Sequence, residues 1–92
     1  MKVINSRYME ILLFKLSTYG PCNLMSKLLS EINIDYKELF VDKDKKAEKL
    51  ANKYNVSSVP TIIIIKNNKV VEKIVGLRSS KQIKEVLDKL NQ

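Results

Sequence analysis

The chain has 92 residues, 45% of them hydrophobic and 29% charged, with a formal net charge of +7. That suffices for one domain with one modest core, and it excludes a disordered tail, a collagen-like repeat or a linker array. No apolar run approaches the ~20 residues of a membrane span, and Glu10 and Lys15 interrupt the only apolar stretch near the start, so the chain reads as a soluble, cytoplasmic protein without signal peptide or membrane helix.

Residues 1–9 read as a short extra strand or a loosely held arm, and 10–92 as one domain without repeats or linkers. From Glu10 to Leu16, the run Ile11-Leu12-Leu13-Phe14 has strand length and is apolar at successive positions, as a strand covered on both faces requires. Ser17-Thr18-Tyr19-Gly20-Pro21 breaks it, and Pro21 suits the first helical position, where a missing N–H is no loss. Leu24, Met25, Leu28, Leu29 and Ile32 then recur at helical spacing on one face, with Lys27 and Glu31 on the other. A second strand follows from Tyr36 to Val41. Either Asp42 or Asp44 can cap the next helix, whose inner stripe is Ala47, Leu50, Ala51 and Tyr54.

Val59-Pro60 leads into Thr61-Ile62-Ile63-Ile64-Ile65. Asn67-Asn68 is a two-residue hairpin signal, because asparagine tolerates positive φ, and Lys69 to Val75 returns as the last strand. Ser79 with Gln82 three residues on forms a capping box, opening a helix lined by Ile83, Val86, Leu87 and Leu90. The order β-α-β-α-β-β-α predicts an α/β fold: strand–helix–strand units demand a parallel pair, and the Asn-Asn hairpin adds an antiparallel one. The result is a mixed four-stranded sheet with helices on both faces. Its two apolar runs are central, and 36–41 and 69–75 form the edges.

Cys22 is the sole cysteine and histidine is absent, so an intramolecular disulfide, a Cys/His zinc site and an imidazole-based triad are all excluded. No metal or cofactor is expected. A strand ending in Gly20-Pro21 and feeding a helix places Cys22 in the first turn, where unpaired N–H groups and the dipole favour a thiolate. A small buried hydrophobe is the equally weighted reading of the same position. Pro60, unable to donate to a ladder, belongs at the start of its strand, with a trans or a cis bond to Val59.

The excess of basic residues, all lysine except Arg7 and Arg78, steers toward anionic partners. The lysines are interleaved with acids, as in Asp42-Lys43-Asp44-Lys45-Lys46 and at Lys81/Glu85, Lys84/Asp88 and Glu85/Lys89, which decorates a solvated face. Nucleic-acid binding is therefore the weaker reading, resting on net charge alone.

Gly20-Pro21-Cys22 after a strand and Val59-Pro60-Thr61 before an apolar strand resemble the thioredoxin family. The likeness runs from about residue 10 to 91 and includes the hairpin Lys66-Asn67-Asn68-Lys69, Val75-Gly76 before the last helix, and the strand ending Val41-Asp42. The resemblance implies a thioredoxin-like fold, a cis-proline at Pro60, and a site made of Tyr19, Gly20, Pro21 and Cys22. It also implies a docking groove of Val59, Pro60, Thr61 and Gly76 for a protein or peptide thiol or disulfide.

The departures are as informative. On the family's Trp-Cys-Gly-Pro-Cys motif the attacking cysteine falls on Tyr19 and the tryptophan on Thr18, while Cys22 matches the resolving cysteine. The family's buried proton-moving carboxylate falls on Leu13. Exchange through one sulfur requires an outside thiol, such as glutathione, for its second step. The expectation is a monomeric, monothiol redox protein. The alternative is a catalytically silent module that pairs an extended peptide along Val59, with Tyr19 as an exposed aromatic anchor.

Overall fold

The structure, a computed structural model, describes residues 9–18 and 20–90. Its elements are β1 (Met9–Lys15), α1 (Gly20–Glu31), β2 (Lys37–Phe40), α2 (Lys45–Lys53), β3 (Thr61–Lys66), β4 (Lys69–Val75) and α3 (Ser80–Leu90). They form one four-stranded sheet in the order β2-β1-β3-β4. β2 runs parallel to β1, while β1–β3 and β3–β4 are antiparallel. The two apolar runs are thus the central strands, as their composition demands.

Because side chains alternate along a strand, β1 and β3 each feed two cores. Ile11 and Leu13 join Ile62 and Ile64 on one face, under Met25 and Leu29 of α1 and Ile83 and Leu87 of α3. Leu12 and Phe14 join Ile63 and Ile65 on the other, against Ala51 of α2, with Leu50 and Tyr54 partly buried beside it. Each such aliphatic side chain contributes about 1.5–3 kcal/mol when fully buried.

The boundaries follow local chemistry. Asn67 and Asn68 both hold positive φ, 54° and 65°, so the hairpin turns as their amides allow. Of the two candidate caps, Asp44 opens α2, accepting from the Lys46 N–H at 2.9 Å. Ser79 and Gln82 close a reciprocal capping box: Gln82 N donates to Ser79 Oγ at 3.2 Å, and Ser79 N to Gln82 Oε1 at 3.0 Å.

Four expectations need correction. Leu24 is 48% exposed, because α1 takes its phase from buried Cys22, Met25 and Leu29, and Leu24 lies off that seam. The helix opens at Gly20, one residue before Pro21, and β1 occupies Met9–Lys15, one residue earlier at each end than the expected Glu10 to Leu16. Of the expected N-terminal arm, residues 1–8 lie outside the described residues, and Met9 opens β1 within the core.

Candidate functional site

Sheet register gathers the candidate residues at one end. Lys15 at the end of β1 lies opposite Phe40 at the end of β2, and Phe14 lies opposite Thr61, the first residue of β3. Thr61 in turn faces Val75, the last residue of β4. The start of α1, the Val59–Pro60 segment, Gly76 and the loop at Asp42 therefore leave the sheet at the same edge. Loops at this end of a parallel β-α-β unit are where such folds place their chemistry.

On the α1 side, Gly20 is exposed, Pro21 half-buried and Cys22 fully buried. Cys22 is a free thiol in the first turn, as expected, yet presents no surface in this state. Tyr19 lies outside the described residues. Leu13, where the resemblance put a carboxylate, has no exposed surface and packs into the core shared by α1 and α3. The loop before α1 is anchored at Asp42, whose carboxylate accepts from Ser17 Oγ at 2.7 Å and from Ser17 N at 3.2 and 3.3 Å. The Ser17 hydroxyl first, with its N–H in support, stabilises the anion and holds the Asp42 carboxyl below the usual carboxylate range.

On the β3–β4 side, the Val59–Pro60 peptide bond is cis. Gly76 N donates to Pro60 O at 2.8 Å, and Gly76 sits at φ 84°, a left-handed conformation that glycine adopts freely. Val59 is half-buried, and Val75 and Leu77 flank Gly76 as exposed apolar side chains, 43% and 41% accessible. Thr61 does not reach this surface: it is buried, and its hydroxyl donates to Ser58 O at 2.8 Å, bracing the loop from inside. Pro60 is likewise buried, leaving Val59 and Gly76 as the accessible members of the expected groove. Beside Val59 a cleft of about 350 Å³ opens between Leu16, Val41, Ala51 and Val56.

A polar cluster on the α1 face was not singled out from sequence. Lys15 is 3% exposed, and its ammonium donates to Ser26 Oγ at 2.7 Å. It pairs with Glu38 Oε1 at 3.6 Å and lies 5.1 Å from the centre of the Phe40 ring. The available signal was that Lys15 lies two residues beyond Leu13 in a central strand, hence on the same covered face.

Among the described residues no helix is long and apolar enough to cross a membrane, and no group of His, Cys, Asp and Glu side chains is arranged to hold a metal ion.

Three comparisons bear on this arrangement. The family model described as Thioredoxin matches residues 2–89. The thioredoxin of Staphylococcus aureus strain N315 is 38% identical over 74 residues, covering 76% of this chain and 70% of that protein. Among solved structures, a mutant thioredoxin from Halobacterium salinarum NRC-1 superposes with a TM-score of 0.82 at 21% identity, covering 97% of this chain and 80% of its own. Thioredoxin O2 from Arabidopsis thaliana in the oxidized state gives 0.78 at 23% identity, over 92% and 76%.

Proposed function

The chain belongs to the thioredoxin family, and from that premise we propose that it takes part in thiol–disulfide exchange as a monothiol through Cys22, with an external thiol completing each turnover. The observation that carries this reading is the placement of the sole thiol in the first turn of α1, at the sheet end that also holds Val59, Pro60 and Gly76. The Cys22 thiolate attacks one sulfur of a partner disulfide. The partner's S–S bond breaks, a mixed disulfide forms, and the second partner sulfur leaves as a thiolate that takes a proton from solvent. A glutathione-class thiol then attacks the mixed disulfide and releases Cys22, itself ending in a disulfide. A tyrosine at position 19 cannot perform that second step, because a phenol carries no sulfur nucleophile.

Because Cys22 is fully buried, the attack follows a local opening that exposes the sulfur. The test is incubation of folded protein with oxidised glutathione, followed by intact-mass measurement. A mixed disulfide at Cys22, removed again by excess reduced glutathione, is expected. Insulin reduction without an added thiol is expected to stay near background. If the adduct forms only after denaturation, Cys22 is core packing.

That outcome would favour a second reading, a silent binding module of the same fold. Its support is the contrast between the buried sulfur and the exposed Val75 and Leu77 flanking Gly76. An extended peptide pairing along Val59 would gain backbone hydrogen bonds without any thiol chemistry. Peptide binding by Cys22→Ala protein, read by fluorescence anisotropy, distinguishes the two.

A further inference from the structure

Arg78, in the loop between β4 and α3, is the sole arginine among the described residues. Its side chain is exposed yet held in place. Nη1 donates to Leu77 O at 2.9 Å and lies 3.7 Å from the point where a side chain on Gly76 would begin. The guanidinium therefore rests against Gly76, one of the two accessible members of the groove, with the apolar Val75 and Leu77 on either side of that glycine.

This cation has no counter-charge in the protein. Among the described residues the only ion pair joins Lys15 to Glu38, so Glu72 and Glu85, which border the same β4–α3 cleft as Arg78, do not pair with it. Glu72 instead accepts from the Lys73 N–H at 3.2 Å. The rest of this sheet edge adds to the charge. Both α2 and α3 begin here, bringing the exposed Lys43, Lys45 and Lys46 with one and Lys81 with the other. The acids interleaved with those lysines are engaged within the chain, Asp42 by Ser17 and Asp44 by the Lys46 N–H. No acidic side chain lies in the first turn of α1 or of α3.

A planar guanidinium matches a carboxylate in a way a lysine ammonium does not, and one already fixed through a hydrogen bond loses less freedom on binding. An extended segment paired along Val59 and reaching Gly76 would meet apolar surface and this cation together. Glu48 borders the cleft beside Val59, which disfavours a carboxylate there and leaves the acidic position to the Gly76 side.

We propose that Arg78 is a specificity-determining residue of the groove, selecting extended partner segments that carry a carboxylate next to apolar side chains. The inference rests on the reading that partners dock along Val59 and Gly76. It holds whether or not Cys22 reacts.

The test uses Cys22→Ala protein, so that its outcome does not depend on the sulfur, and three short peptides with one apolar core. They carry glutamate, glutamine or lysine at the flanking positions, and an uncharged dye reports binding by anisotropy. The glutamate peptide is expected to bind about fivefold more tightly than the glutamine peptide, and the lysine peptide about fivefold more weakly. Added salt should narrow both ratios. Arg78→Gln in the same background should bring the glutamate-to-glutamine ratio close to one. Arg78→Lys, which keeps the charge and loses the fork, should retain part of it. Lys69→Gln removes the same charge from the opposite edge of the sheet and should leave the ratio unchanged.

Equal binding of the three peptides, or a glutamate preference that survives Arg78→Gln, overturns the proposal and leaves the groove standing. An equal loss for all three peptides on Arg78→Gln would make the Leu77 contact a loop brace, which also overturns it. If no peptide binds, the groove reading itself fails and the proposal falls with it. An oligothymidylate that displaces the glutamate peptide and requires Arg78 would assign the guanidinium to phosphates, against the proposal.

Discussion

The two halves of the site have diverged to different degrees from the pattern they resemble. The β3–β4 half keeps its parts: a cis bond before Pro60, Gly76 bonded to the Pro60 carbonyl, and apolar side chains exposed on either side of Gly76. The α1 half keeps Gly20, Pro21 and Cys22 but has Tyr19, Thr18 and Leu13 where the family motif carries a cysteine, a tryptophan and a carboxylate. The two halves come from separate stretches of chain, joined only by sheet register, so one can lose its chemistry while the other keeps its shape. On the proposed reading, docking and reaction are separable.

The sharpest way to break that comparison is Cys22→Ala. It abolishes every mixed disulfide, while peptide docking at the β3–β4 half stays within about twofold and stability falls by about 1 kcal/mol. Binding anisotropy and urea denaturation check both sides. A tenfold loss of docking would show that the sulfur shapes the groove and that the halves are coupled.

Leu13→Ala tests what replaced the carboxylate. Leu13 has no exposed surface and packs with Ile62 and Met25, so truncation leaves a cavity and is expected to cost about 2–5 kcal/mol in urea unfolding. A cost below 1 kcal/mol would mean that the α1 half is loosely packed.

Val59→Asp attacks the other half. Placing a carboxylate at this half-buried groove position is expected to weaken peptide docking by about tenfold, or 1.4 kcal/mol, and to leave the rate of Cys22 with oxidised glutathione unchanged. Titration calorimetry and intact mass read the two effects. Equal losses in both would show that the halves communicate.

Much of this was legible in the sequence, for identifiable reasons. Successive apolar residues at Ile11–Phe14 and Ile62–Ile65 mark strands with two covered faces, and the centre of the sheet buries both runs. Asn67-Asn68 and the Ser79/Gln82 box are local chemistry, so neighbouring residues alone specify them. What escaped depends on distant partners. Asp42 and Asp44 are equivalent caps by spacing, and only the approach of Ser17 across 25 positions of chain separates their roles. Leu24 falls within a helical apolar pattern broader than the seam that the sheet can cover. Lys15 looks like an interruption of a hydrophobic run until β2 and α1 supply Glu38, Phe40 and Ser26 around it. The burial of Cys22 is likewise a property of the assembled fold and not of the Gly-Pro-Cys motif.

The smallest effect concerns a strap within the α1 half, the Asp42–Ser17 contact that fastens the loop before α1 to the end of β2. In the folded protein the Ser17 hydroxyl and N–H hold the Asp42 carboxyl below its usual value of 3.8, whereas in the unfolded chain nothing does. The unfolded state therefore takes up this proton first as the pH falls. The stabilisation is complete above the unfolded value and is lost as the pH drops through the lower, folded one. Asp42→Asn should melt slightly below wild type at neutral pH, by a margin that holds down to the carboxylate range and closes below it. Because the group is exposed, added salt should narrow that margin further. Melting curves of the two proteins across acid pH measure the convergence. A margin unchanged at the acid end would show that the substitution costs hydrogen bonds an amide makes less well at any pH, and that the carboxylate's charge is immaterial to how the loop before Cys22 is tethered.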